Sequence, residues 1–102
     1  MRIVTEPFLL KQKEAFPLAA SWLDCFRTTA KRARWQNLVE LRRSYPHADL
    51  AVVSSGRKVT IFNVAGTKYR LITAIHFDRQ ILYALQFLTH AEYSKNRWKN
   101  ML

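Results

Sequence analysis

An α+β domain, helices first and sheet second, is what the spacing of apolar residues predicts. Apolar side chains recur every three or four residues up to about Leu41, then every two residues from about Val59 to Thr89. β-Branched and aromatic residues concentrate in the second half, which Gly56, Ala65-Gly66 and Asp78-Arg79 cut into segments of strand length. A chain of 102 residues buries about 60–65% of the surface it exposes unfolded, enough for one core, so residues 1–102 are read as one domain.

Arg2 to Val4 reads as a short edge strand. Thr5-Glu6-Pro7 is a helix start, with Thr5 as N-cap and Pro7 in the first turn of a helix through about Glu14. Pro17 begins a second helix, on which Leu18, Ala19, Trp22, Leu23, Phe26 and Ala30 form one apolar stripe. Its far end carries Arg27, Lys31, Arg32 and Arg34, more positive charge than a helix C-terminus needs. A third helix puts Leu38, Val39 and Leu41 on its apolar side and Glu40, Arg42 and Arg43 outside, and stops before Pro46.

Val59 to Val64, Lys68 to Phe77 and Gln80 to Thr89 read as a three-stranded antiparallel meander, with Leu50 to Val53 as a possible fourth strand. In the central strand Tyr69, Leu71, Thr73, Ile75 and Phe77 face one way and Lys68, Arg70, Ile72, Ala74 and His76 the other. The second face is apolar at its middle and cationic at its start, so something covers it in part and leaves the Lys68–Arg70 end open. The tail from His90 to Leu102 is polar and basic, with Trp98 and Leu102 as anchors for a short helix packing back on the sheet. The expected architecture is N-terminal helices on a three- to four-stranded antiparallel sheet with a short C-terminal helix.

Seventeen Lys and Arg against seven Asp and Glu give a net charge of +10. Such a field favours a polyanionic partner, either nucleic acid or an acidic protein. A membrane partner fits poorly, because the basic residues are spread over several segments and no single amphipathic helix collects them. No stretch is long and apolar enough to span a bilayer and no signal peptide is recognisable, which points to the cytoplasm. The single cysteine, Cys25, has no disulfide partner. His47, His76 and His90 lie in different segments and the carboxylates are scattered, so neither a metal site nor a cofactor is expected.

The chemistry left open is carried by cations and one or two proton-transfer groups, which suits metal-independent RNA cleavage. His90 and Tyr93 are three residues apart, on one face of a helical turn, with Lys95 and Arg97 close behind. Each candidate also has a plain structural alternative. His90 can be a capping or exposed histidine, Tyr93 a packing residue, Lys68 and Arg70 the polar face of a hairpin, and Arg57-Lys58 turn charges. Six basic residues against Glu40 between Arg27 and Arg43 can be a solvated helical face, though a heavily charged one. Trp22, Trp35 and Trp98 are expected as core or interface anchors, not as base-stacking platforms.

The segment Phe62-Asn63-Val64-Ala65-Gly66-Thr67-Lys68-Tyr69-Arg70-Leu71-Ile72, followed by Leu88-Thr89-His90-Ala91-Glu92-Tyr93, resembles the HigB family of bacterial toxins. Trp35-Gln36-Asn37-Leu38-Val39-Glu40-Leu41 and Tyr45-Pro46-His47-Ala48-Asp49 extend the resemblance over most of the chain. The resemblance implies a RelE-like fold and a type II toxin that cleaves mRNA in the ribosomal A site. It implies neutralisation by a HigA-like helix-turn-helix antitoxin, with DNA reached only through the toxin-antitoxin complex. Carried over by residue, Lys68 and Arg70 contact the scissile phosphate, and His90 and Tyr93 transfer protons or orient the RNA. Further RNA contacts are expected from Asn63, Arg57, Lys58, Lys95, Arg97, Lys31, Arg32 and Arg34. Ser94 stands where many family members carry Asp, which leaves that carboxylate's role open. The alternative is a non-catalytic toxin of the same fold, resembling gyrase poisons, or a nucleic-acid-binding module.

Overall fold

The computed structural model describes all residues from Met1 to Leu102. Strand β1 (Arg2–Ile3) precedes helix α1 (Glu6–Ala15), a 3₁₀ turn at Pro17–Ala19 and helices α2 (Ala20–Arg32) and α3 (Leu38–Ser44). Strands β2 (Asp49–Val52), β3 (Lys58–Val64), β4 (Tyr69–His76) and β5 (Ile81–Thr89) follow, then α4 (His90–Ser94) and a second 3₁₀ helix, Arg97–Met101. The sheet has five strands in the order β1-β5-β4-β3-β2. It is mixed rather than purely antiparallel, because β1 pairs in parallel with β5, Arg2 opposite Ile81. The expectation of three to four antiparallel strands is corrected by one strand: the terminal segment is an edge strand, but an edge strand of the same sheet.

Local chemistry explains most element boundaries. Asn37 caps α3 by accepting the Glu40 amide at 3.0 Å, and Tyr45 ends that helix just before Pro46. Thr5, expected as the cap of α1, makes no cap bond. Its hydroxyl turns to β5 instead, donating to the Ala84 carbonyl at 3.2 Å and accepting the Ala84 amide at 2.6 Å. The β3–β4 connection passes through left-handed backbone at Ala65 and Gly66, φ 52° and 73°, which fixes the turn where a glycine is needed. Lys68 consequently lies in that connection and not in the strand.

Both faces of the sheet are covered. On the first, Leu9 of α1 and Leu23, Phe26 and Ala30 of α2 pack on Phe62, Val64, Leu71, Leu82 and Phe87. Leu18 and Val39, expected on apolar stripes, are instead 68% and 69% exposed. The second face is covered by the tail, whose Trp98 is buried among Val53, Val59, Ile61 and Ile72. Left-handed Asn96, φ 59°, turns the chain so that Trp98 comes back over the sheet. A bulge in β5 serves both cores: Ile72 pairs with Gln86 but Thr73 with Ala84, leaving Leu85 as the extra residue. Leu82 and Ala84 before it and Phe87 after it thereby reach the same core, while Leu85 packs against the other. No helix is long and apolar enough to cross a membrane.

Candidate active site

The site forms where β4 begins and β5 ends. Tyr69 is opposite Thr89 and Arg70 opposite Leu88, so the antiparallel ladder carries the β3–β4 connection up against the start of α4. The pairing continues one step further, with the His90 amide donating to the Lys68 carbonyl at 2.9 Å. Lys68 and His90 are thus backbone neighbours, and Arg70 lies two residues along the strand, on the order of 7 Å away.

His90 is held there by a capping box. The Thr89 hydroxyl accepts the Glu92 amide at 3.2 Å, and the Glu92 carboxylate accepts the Thr89 amide at 3.1 Å. Ser94 closes the turn by donating to the His90 carbonyl at 2.9 Å. Exposed His90 therefore projects from a fixed backbone, whatever its side chain contacts.

Arg70 is anchored at one nitrogen, with Nη1 donating to the Thr67 carbonyl at 2.8 Å and the Tyr69 carbonyl at 3.1 Å. Its guanidinium also stands 5.1 Å from the centre of the Tyr93 ring. Tyr93 is stacked on Trp98 at 5.5 Å, and its carbonyl accepts the indole N–H at 3.1 Å. Arg70, Tyr93 and Trp98 form a chain of contacts from the open end of the sheet into the second core. The remaining guanidinium N–H groups stay available for an anion, in the fork geometry that suits a phosphate.

Asn63 is directly opposite Arg70 on β3. Lys95 and Arg97 line a cleft of about 260 Å³ with Leu88, the strand partner of Arg70, and Trp98. Seven of the expected residues therefore gather at one end: Lys68, Arg70, His90, Tyr93, Asn63, Lys95 and Arg97. The other five do not join them. Exposed Arg57 and Lys58 sit at the β2–β3 turn, with Lys58 opposite Val52 at the far end of the ladder. Lys31, Arg32 and Arg34 line a cleft with Arg2 and Arg79 at that same far end, separated from Lys68 by the length of β4, on the order of 23 Å. Sequence proximity in a basic run could not reveal this, because α2 runs its C-terminus toward the opposite edge.

Charge is also arranged differently along α1 and α2. Glu6 pairs with Arg27 at 2.6 Å and with Lys31, and these two cations hold its carboxyl below the ordinary range. Lys13, with Arg27, does the same for Asp24. Reading the sequence for charge and proton donors missed the supports of the site, namely Thr89, Glu92 and the Thr67 carbonyl. The Thr-x-x-Glu spacing from Thr89 to Glu92 was the available signal for the first two.

A family model described as HigB_toxin, the RelE-like toxic component of a toxin-antitoxin system, matches residues 19–96, from the first 3₁₀ turn to just past α4. The matched span contains every element that builds the gathered end of the sheet except Trp98 and Arg97. No protein with a curated description matches the chain.

Proposed function

Since the chain belongs to the HigB family of RelE-like toxins of toxin-antitoxin systems, we propose that it is an endoribonuclease that cuts mRNA in the ribosomal A site, with no metal in the reaction. The observation that carries this reading is the gathering of four residues at one end of the sheet, with His90 hydrogen-bonded to the Lys68 backbone and the Arg70 guanidinium against the Tyr93 ring. A binding protein needs the cations; it has no use for a histidine fixed beside them by a capping box.

In the proposed reaction the ribose 2′-oxygen attacks the adjacent phosphorus and loses its proton. The bond from phosphorus to the 5′-oxygen breaks, that oxygen takes up a proton, and a 2′,3′-cyclic phosphate remains. Arg70, already fixed by two carbonyls, and Lys68, free of any ion pair, stabilise the charge that builds on the phosphoryl oxygens. Proton transfer falls to His90 and Tyr93, the imidazole and the phenol hydroxyl of the cluster. Lys95 and Arg97 hold flanking phosphates. The partners of such a protein are mRNA, the ribosome and an antitoxin of the HigA kind, which meets in the cytoplasm a toxin with a net charge of +10.

The test is primer extension on a defined mRNA in a purified translation system, with and without ribosomes. Cuts should appear only with ribosomes, and should be blocked by a 2′-deoxy sugar at the cut nucleotide. Cutting of the 2′-deoxy message would exclude this mechanism. Inhibition with no cutting at all would leave the interaction toxin.

A further inference from the structure

We propose that the cleft between α2, the α3–β2 loop and the β3–β4 turn is a nucleobase pocket, taking a base of the RNA strand whose phosphate lies at Lys68 and Arg70. The proposal rests on the endoribonuclease reading for the identity of the strand, and nothing in that reading requires a pocket here. The cleft has a volume of about 500 Å³ and is lined by Trp22, Tyr45, Phe62, His47, Asn63 and Thr67, with others. That volume is within the range of about 300–1,000 Å³ typical of small-ligand sites.

Its walls are of two kinds. Trp22 stacks on Phe26 with centroids 5.1 Å apart and ring planes 10° apart, and Tyr45 meets Phe62 edge-on at 5.3 Å. These rings hold one another in place and give the cleft a rigid aromatic floor. Ser44, His47, Asn63 and Thr67 supply donors and acceptors around it. An aliphatic side chain from a partner protein would use only the floor. A base uses both, stacking its π-face on an aromatic ring and hydrogen-bonding at its edge. Trp22, expected from the sequence to be a core or interface anchor and not a base-stacking platform, is half-buried and lines the cleft.

The cleft shares a wall with the phosphate-binding cations. Asn63 is the strand partner of Arg70, and the Thr67 carbonyl accepts the Arg70 guanidinium at 2.8 Å. Between the two lies the β3–β4 turn, where nothing stands within 4 Å of the place a Gly66 Cβ would occupy. A strand passing over this turn can leave its phosphate on one side and put a neighbouring base on the other.

The experiment is an amide NMR titration of the whole protein with AMP, GMP, CMP and UMP, against inorganic phosphate. At least one nucleotide should shift the amides of Ser44, Tyr45 and His47, on the wall away from Arg70, and phosphate should not. Exposed His47 allows H47A to be made without touching the core, and it should weaken that nucleotide at least threefold. Nucleotides that move only the amides phosphate moves, or nucleotide binding unchanged in both H47A and W22L, would overturn the pocket. The two readings fail separately: pocket binding by a protein that cuts no mRNA on ribosomes removes the nuclease and keeps the pocket, and cutting with the pocket amides unmoved does the reverse.

Discussion

At the end of the sheet where β4 starts, Lys68, Arg70 and Lys95 have no carboxylate within ion-pair distance, whereas at the opposite end Lys31 shares Glu6 with Arg27. Histidine and tyrosine occur at both: His90 and Tyr93 at the first, and His76 edge-on to Tyr83 at 5.8 Å at the second. Residue types alone therefore do not separate the two. What separates them is immobilisation, since only the first end fixes a guanidinium by two carbonyls and a ring and sets its histidine with a capping box. A charge that is pinned and unneutralised is prepared for a substrate; a charge that is mobile or already paired supports solubility, helix ends and long-range attraction.

Replacing Trp98 tests the comparison most severely. W98A should cost about 3–5 kcal/mol of stability, as other buried aromatic truncations do, read as a fall in the urea midpoint. Amide exchange should quicken around Tyr93 and Arg70 first, with the contacts of Met1 and Arg2 at the far end kept longer. A loss under about 1 kcal/mol would mean the tail does not hold the site.

Next in size is R70A, which should slow ribosome-dependent cutting about 10²–10³-fold, the range seen when a donor to a developing charge is removed. The matched far-end change, R32A with R34A, should leave cutting at saturating ribosomes within about twofold. It should also lower the salt slope of ribosome association by about one for each phosphate that these arginines no longer neutralise. Equal loss of cutting from both would abolish the distinction between the ends.

Removing the cap is a smaller change. T89A should cost about 1 kcal/mol and slow cutting more than that stability loss explains, because His90 loses its fixed backbone. Unchanged cutting would show that His90 does not depend on the box.

The smallest effect belongs to the far end. Glu6 is held below its ordinary pKa of 4.5, so its ion pairs stabilise the fold above that value and are lost as pH falls through the lowered one. Wild type should lose this increment in acid denaturation, and E6Q, which lacks it already, should not; the difference near neutral pH should be about 0–1 kcal/mol, as for surface pairs. Identical acid profiles would mean the network adds nothing.

Much of this was legible in the sequence. The change of period at the middle of the chain set the order of helices and strands, and Trp98 stood out as the anchor of an otherwise polar tail. The grouping of Lys68 with His90 came only from the family resemblance, since no register between the strands was assigned from the sequence. Other features were hidden for physical reasons. β1 joins the sheet beside a hydrogen-bonded pair 79 residues apart, Thr5 and Ala84, beyond the reach of any local pattern. The bulge at Leu85 breaks the alternation that would have assigned its face. The nucleobase cleft combines α2, a loop and a turn, which no single periodicity describes. The basic run from Arg27 to Arg43 did not reveal which end of the sheet its cations reach, because helix direction, not charge density, decides that.

The parallel pairing of Arg2 with Ile81 also sets the order in which the molecule can be assembled. Local pieces, such as α2 or the β3–β4 hairpin, need only nearby residues and can form early, whereas β1 must wait for β5, a strand far along the chain. Until β5 has left the exit tunnel, the amino-terminal segment has no edge to join and the sheet stays open on that side. Closing so long a loop costs only a few kcal/mol, because the penalty grows with the logarithm of its length. Its consequence is kinetic: a nascent chain closes its sheet only once β5 is present, and copies that stop short of β5 carry neither a closed sheet nor the Thr89–His90 end of the site.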